Sequence, residues 1–139
     1  MKSYVLDANA LLTYWEQREG SERVVRVFDS ADDGDSTLMM SVVNVGEAFY
    51  AVWKRVGETE ARLLLRQLIS SPMDFAPADL TSSLKAAELK AKYRCGYADA
   101  FAASLAISRR ATLVTADPDF RKFGDKIKIL WLPSHKSVN

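Results

Sequence analysis

The sequence predicts an α/β fold built on a mostly parallel sheet, and three observations carry that prediction. Short β-rich segments alternate with longer segments of helical pattern, the arrangement expected of a parallel sheet. Each connection between candidate strands holds one or two candidate helices, as parallel crossovers require. Hydrophobic residues make up 48% of the 139-residue chain and charged residues 27%, a composition that excludes disorder and supplies a core. The length suits a single domain over residues 1–139, since ~100–200 residues per domain is usual. No internal repeat, low-complexity tract or Pro/Ser linker divides it.

Ser3–Asp7 reads as a strand ending in an acid. Ala8–Glu19 and Ser21–Asp32 read as helices separated by Gly20, with Ser21 as an N-cap. The second carries Val24, Val25, Val27 and Phe28 as its apolar face, and the run 32–35 is a turn. Thr37–Met40 is a strand, after which Ser41 caps a helix that runs to Val56 and stops at Gly57. Val42, Val45, Phe49, Val52 and Val56 form its apolar stripe, while Val43 and Tyr50 on another side imply contact on more than one face. Glu58–Ser70 is a helix closed by Pro72, and Met73–Ala76 is a short strand. Asp79 caps a helix through Tyr93, with Leu80, Leu84, Ala87 and Leu89 as core candidates. Tyr97–Arg109 is an Ala-rich helix, Thr112–Thr115 a strand, Pro118–Phe123 a turn of helix and Lys128–Leu132 the last strand, ended by Pro133.

Nineteen Lys and Arg against 18 Asp and Glu give a net charge of +1, which excludes a uniformly polybasic surface but not a local patch. Cys95 is the single cysteine, so no internal disulfide forms and a reducing cytoplasm is the expected compartment. No apolar run approaches the ~18–20 residues of a membrane span. Asp7 interrupts the start too early for a secretory segment.

In open parallel sheets, ligands sit outside the carboxyl ends of the strands. Asp7 ends the first strand and Asp117 follows the strand Thr112–Thr115, so both fall on that edge. Either could also simply begin a turn or cap a helix. Glu47 lies nearly opposite the apolar stripe of its helix, where a solvated face with Lys54 nearby is the alternative. Asp99 is the only charged residue between Gly96 and Ser108. A buried carboxylate there must be paired or bind a cation, although a plain helix-start role is open to it. Convergence of such acids sets up mutual repulsion of about 3 kcal/mol for a pair ~5 Å apart at an effective dielectric near 20. His135 is in the C-terminal tail and Cys95 stands alone. An all-oxygen site of this kind suits Mg²⁺ or Mn²⁺ better than Zn²⁺.

Four segments carry a family likeness: Val5-Leu6-Asp7-Ala8-Asn9-Ala10-Leu11-Leu12, Ser41-Val42-Val43-Asn44-Val45-Gly46-Glu47, Tyr97-Ala98-Asp99-Ala100, and Leu113-Val114-Thr115-Ala116-Asp117-Pro118-Asp119-Phe120. In that order and over essentially the whole length, the chain resembles PIN-domain ribonucleases, most closely the VapC-like toxins of toxin–antitoxin pairs. The last segment fits the family's T-x-D-x-x-F pattern, and Ala8 departs from the Thr or Ser that often follows the first Asp. The resemblance implies a PIN-like three-layer α/β/α sandwich with a sheet of four or five strands. It implies an Mg²⁺-dependent endoribonuclease, with Mn²⁺ as a substitute, whose catalytic and metal-holding residues are Asp7, Glu47, Asp99 and Asp117. Asn9 and Thr115 become supporting or water-positioning residues. Asp119 either assists the metal or faces solvent on the turn.

The implied partners are an RNA substrate, a VapB-like antitoxin and a second copy of the chain. Arg18, Arg23, Arg26, Lys54 and Arg55 are candidate phosphate contacts, with plain surface charge as the alternative. Phe49, Tyr50 and Trp53 lie on several faces of one helix and suggest a homodimer face, unless the helix Glu58–Ser70 covers them. The antitoxin is expected in a groove between Ala8–Glu19, Ser21–Asp32 and Glu58–Ser70, where Leu11, Leu12, Tyr14, Trp15 and Leu64 are exposed-apolar candidates or core. Two alternatives remain. A haloacid-dehalogenase-like phosphatase also ends its first strand in Asp, but usually has a second Asp where Asn9 stands. A non-catalytic PIN-like module that binds RNA or a partner is the other.

Overall fold

A computed structural model describes residues 1–134; His135 therefore lies outside the described residues. Five strands, β1 (Lys2–Leu6), β2 (Ser36–Ser41), β3 (Asp74–Ala76), β4 (Thr112–Thr115) and β5 (Lys128–Trp131), form one sheet in the order β3-β2-β1-β4-β5. Every pairing is parallel. The helices are α1 (Ala8–Trp15), α2 (Ser21–Asp32), α3 (Val42–Val56), α4 (Glu58–Ile69), α5 (Leu80–Tyr93) and α6 (Tyr97–Arg109). A 3₁₀ segment, Pro118–Lys126, kinks at Gly124 before β5. No helix among the described residues is long and apolar enough to cross a membrane.

The strand period of two sorts neighbouring side chains to opposite faces of the sheet. Leu6, Leu38, Met40 and Val114 enter a core with residues of α1, α2, α3 and α4. Val5, Met39 and Leu113 enter a second core with Ala86 of α5, Phe101 and its alanine neighbours on α6, and Phe120 and Phe123. The result is the three-layer α/β/α sandwich that the family resemblance implies, with β1 central. Ala100, Ala102, Ala103 and Ala106 of α6 share the second core with Val5, Met39 and Leu113 of the sheet.

Several local expectations are corrected. Asp7 is the N-cap of α1 rather than the last strand residue. The α1 helix stops at Trp15, four residues short of Glu19, because Gln17 takes a left-handed conformation (φ 55°) and Arg18 N–H turns back to the Thr13 carbonyl. On α3 the buried row is Asn44, Ala48 and Val52, while Val42 and Val56 at its two ends are exposed. Val43 meets one core and Val45 and Phe49 the other, so this helix is indeed contacted on two sides. Leu80 and Leu84 are 75% and 58% exposed. The packed row of α5 is Ala86, Leu89 and Tyr93, and at ~100° per residue both leucines lie more than 100° around the helix from Ala86.

Gly20 joins α1 to α2 at φ 93°, and a Cβ there would lie 2.6 Å from Cδ of Pro133. Strain and contact act together at this one position. Gly20→Ala is expected to lower unfolding free energy by about 1–3 kcal/mol, read from the urea midpoint. Gly34, at φ 78° with open space around its Cα, is expected to tolerate Ala with a smaller loss.

Candidate metal centre at the carboxyl edge of the sheet

Parallel pairing brings the carboxyl ends of β1, β2 and β4 to one edge. The register Leu6↔Val114 sets the next residues, Asp7 and Thr115, side by side. Thr115 is fully buried, and its hydroxyl donates to Asp7 Oδ2 at 2.6 Å. The Thr115 hydroxyl oxygen also accepts from the backbone N–H of Asp117 at 3.0 Å. One hydroxyl thus couples a carboxylate on β1 to the turn after β4. The backbone N–H of Ala10 donates to Asp7 Oδ1 at 2.8 Å, so both oxygens of this 4%-exposed carboxyl are held. Asn9 extends the same join: its Oδ1 accepts from Ala116 N–H at 3.0 Å, and its carbonyl accepts from the Thr13 hydroxyl at 2.9 Å.

Asp117 caps the 3₁₀ segment by accepting from Asp119 N–H at 2.9 Å. Asp99 stands in the first turn of α6, which begins at Gly96 without a side-chain cap. Ligand atoms of Asp99, Asp117 and Asp119 all lie within 4.8 Å of one another. Among the described residues this is the one group of three His, Cys, Asp or Glu side chains so arranged. Asp119, exposed on its turn, is therefore part of the cluster by position. Ser41 caps α3 through Val43 N–H at 3.2 Å, and Glu47 stands exposed one turn beyond that first turn.

The electrostatics follow from this crowding. Burial pushes the Asp7 carboxyl up to about 7, against the opposing pull of the Thr115 and Ala10 hydrogen bonds, and the charges of Asp99 and Asp117 push it further. Burial also raises Asp99, to about 6, with Asp117, Glu47 and Asp119 adding repulsion and Lys122 opposing them. Five acids therefore share one field, although Asp7 and Glu47 stand outside the tight trio. Burial likewise raises the Cys95 thiol, which keeps it neutral. Carboxylate oxygens without imidazole or thiolate, held with little compensating charge, fit a hard divalent cation.

Sequence reasoning missed two residues here. Lys122 opposes the charge on Asp99 while its ammonium donates to the Arg94 carbonyl at 3.3 Å; its place just beyond the T-x-D-x-x-F segment was the available signal. Asn44, 1% exposed, donates to the Ala98 carbonyl at 3.1 Å and to Glu47 Oε1 at 3.4 Å. A polar residue in the otherwise apolar opening turn of α3 was its signal.

The cationic candidates separate. Arg18 and Arg55 both pair with Glu16. Arg23 donates to the Trp131 carbonyl at 2.7 Å and, with Arg26, borders a hollow over Tyr4 and Leu130 on the sheet face. Lys54 lies 5.9 Å from the centroid of the exposed Tyr50 ring. Phe49 and Trp53 meet edge to face, and Arg62 of α4 covers both rings. Helix α4 thus shields part of the aromatic row on α3.

A carboxyl with a raised pKa binds its proton more tightly in the folded state than in the unfolded chain. The metal-free fold keeps that contribution in full below the ordinary value of 3.8 and loses it as pH rises through about 6 and 7. Urea unfolding in EDTA is expected to give a midpoint that falls between pH 4 and pH 8. Asp7→Asn is expected to flatten that slope; an unchanged slope would show that Asp7 does not govern it.

Comparisons with known proteins bear on the fold and the family. A family model described as PIN domain matches residues 4–126. No curated protein matches the chain by sequence. Among solved structures, VapBC2 from Rickettsia felis, bound to a DNA fragment from its promoter, is similar at TM-score 0.74 and 19% identity, covering 94% of this chain and 98% of that one. VapC20 of Mycobacterium tuberculosis, described as a sarcin-ricin loop cleaving toxin, is similar at TM-score 0.74 and 14% identity, covering 87% and 95%. DNA-bound VapBC from Salmonella typhimurium is similar at TM-score 0.69 and 19% identity, covering 94% and 98%. The family match sets aside the haloacid-dehalogenase-like alternative. By the extent of that match, the chain belongs to the PIN-domain family, a family of nucleases that use divalent metal.

Proposed function

We propose that the chain, residues 1–139 acting as one nuclease domain, is an Mg²⁺-dependent endoribonuclease and the toxin of a VapBC-type pair. The observation that carries this reading is the carboxylate trio of Asp99, Asp117 and Asp119 beside the buried Asp7. Asp7, Glu47, Asp99 and Asp117 are the proposed catalytic and metal-holding residues, with Asp119 assisting. Mg²⁺, or Mn²⁺ in its place, supplies charge neutralisation and Lewis acidity toward a phosphodiester.

The chain's own residues prepare the site for that cation. Thr115 and Ala10 N–H fix the Asp7 carboxyl in one orientation. Asn9 holds the turn that carries Asp117 against α1. The acidic cluster repels an approaching phosphodiester, so RNA binding and cation binding are coupled. Lys122 offsets part of the same charge at Asp99. No imidazole stands at the cluster among the described residues to activate a ribose 2′-hydroxyl, so water is the nucleophile in this reading.

The antitoxin reading is supported by the likeness to VapBC complexes and by the surface between α1, α2 and α4. A groove of about 490 Å³ there is bordered by Tyr14, Trp15, Gln17, Ser21, Val25, Glu60, Leu63 and Gln67. Leu11, Leu12 and Leu64 belong to the core rather than to that groove, at 0%, 9% and 2% exposure. Tyr14 and Trp15 remain as its aromatic wall. A homodimer and a cytoplasmic location complete the reading; Tyr50 and, in part, Trp53 on α3 are exposed and available to a second copy.

A metal-dependence assay on RNA tests the enzyme. Cleavage should require Mg²⁺ or Mn²⁺ and leave a 5′-phosphate and a 3′-hydroxyl. Asp99→Asn should abolish cleavage while the protein stays folded and no less stable in EDTA. A 2′,3′-cyclic phosphate product would sink the mechanism, and loss of the fold would make Asp99 a structural residue.

Expression in a host tests the toxin. Growth arrest should appear with this chain alone and vanish when the neighbouring small reading frame is co-expressed. Harmless expression of a chain that still cuts RNA when purified would leave the nuclease and remove the toxin.

A further inference from the structure

Glu47 and Asp99 come from different helices, yet they must face one another if they are to share a cation. Nothing in the sheet fixes that relation. Glu47 is an exposed side chain on α3, and α6 begins at Gly96 without a side-chain cap. Asn44 is the connection. It is 1% exposed, and its Nδ2 donates to the Ala98 carbonyl at 3.1 Å and to Glu47 Oε1 at 3.4 Å. Ala98 immediately precedes Asp99 in the opening turn of α6. Among the described residues no other hydrogen bond joins α3 to α6. One amide therefore ties the backbone beside Asp99 to the carboxylate of Glu47.

We infer that Asn44 is a positioning residue of the proposed nuclease site, setting Glu47 against Asp99. The inference rests on the nuclease reading and adds a residue to it. The residue type suits that role, because a neutral amide offers two N–H donors, and here Nδ2 lies within reach of both a carbonyl and a carboxylate. A hydroxyl brings one donor. A Lys or Arg would bring a cation that competes with the metal for the carboxylates.

A second observation separates this role from simple packing. Asn44 Oδ1 is buried and has no hydrogen-bond partner. A buried acceptor left unsatisfied costs folding free energy, and an apolar side chain of similar size avoids that cost. The unsatisfied Oδ1 is thus a cost that the apolar neighbours in the row Asn44, Ala48, Val52 do not carry. What Asn adds is the pair of donors at the other end of the amide, and both of their acceptors belong to the site. The i, i+3 spacing from Asn44 to Glu47 is what lets one helix supply donor and carboxylate on neighbouring positions.

The test compares wild type, Asn44→Leu, Asn44→Ser and Asp99→Asn in three measurements: urea midpoint, Mn²⁺ binding by calorimetry, and RNA cleavage resolved into kcat and KM. Asn44→Leu should fold with an equal or higher midpoint. Its kcat and its Mn²⁺ affinity should fall about 10–100-fold, the range seen when a group orienting a metal ligand is lost, with KM for RNA little changed. Asn44→Ser, with one donor, should fall between Leu and wild type. A folded Asn44→Leu whose kcat and Mn²⁺ affinity match wild type overturns the inference while the nuclease reading stands. If Asn44→Leu does not fold, a folded Asn44→Ser with wild-type kcat and Mn²⁺ affinity overturns it equally. Wild type that neither binds Mn²⁺ nor cleaves RNA overturns the nuclease reading itself, and this inference with it.

Discussion

Desolvated, mutually repelling carboxylates at the carboxyl edge of a parallel sheet are the constraint on which the rest of the structure depends. Folding brings Asp7, Asp99, Asp117 and Asp119 together at the expense of hydration at Asp7 and Asp99, whose carboxyls burial raises. Hydrogen bonds to Asp7 offset part of it, and Lys122 offsets part of it at Asp99. The remainder is a standing demand for a cation. That demand gives a fold of ordinary composition and net charge +1 an acidic cluster whose donor atoms fit a hard divalent cation.

The scaffold meets the demand with rigid parts. Alternate strand residues fill two cores, so the ends of β1 and β4 cannot slide without moving Leu6 and Val114 on one side or Val5 and Leu113 on the other. Thr115 and Asn9 then transfer that rigidity to Asp7 and to the turn bearing Asp117. The helices contribute by where they start. Four of the five acids sit at or just inside a helix start: Asp7 and Asp117 as caps, Asp99 and Asp119 in first turns. Backbone N–H groups and the helix dipole lower the cost of negative charge there. Glu47 is the exception, one turn further along α3, and it is the acid that needs a side chain to place it.

Much of this was legible in the sequence. The strand–helix alternation implied the layer architecture, and the strand ends placed Asp7 and Asp117 at one edge, because a parallel sheet leaves no other place for them; Asp99 stood out instead as the lone charge of an apolar helix. Asp119 was open between two roles, since a turn residue's direction depends on the cap geometry of its neighbour Asp117. Hydrophobicity misled where helices were judged by composition. Leu80 and Leu84 are apolar, but α5 packs through Ala86 on another side, and only the tertiary structure fixes which row is buried. Asn44 and Lys122 left only faint local signals for a related reason: each acts across the fold, on Ala98 and on Asp99, at separations that no local pattern encodes.

The central claim is that the carboxylates are held in a frustrated state that a divalent cation relieves. Carbon-13 NMR of the Asp side-chain carboxyls, titrated with pH in EDTA and again in saturating Mg²⁺, tests it most directly. In the metal-free protein the Asp7 carboxyl should titrate near 7 and that of Asp99 near 6. With Mg²⁺ both transitions should move down by more than one pH unit, since the cation favours the charged forms. Titration of Asp7 near the ordinary 3.8 without metal, or transitions that Mg²⁺ leaves in place, would contradict the account.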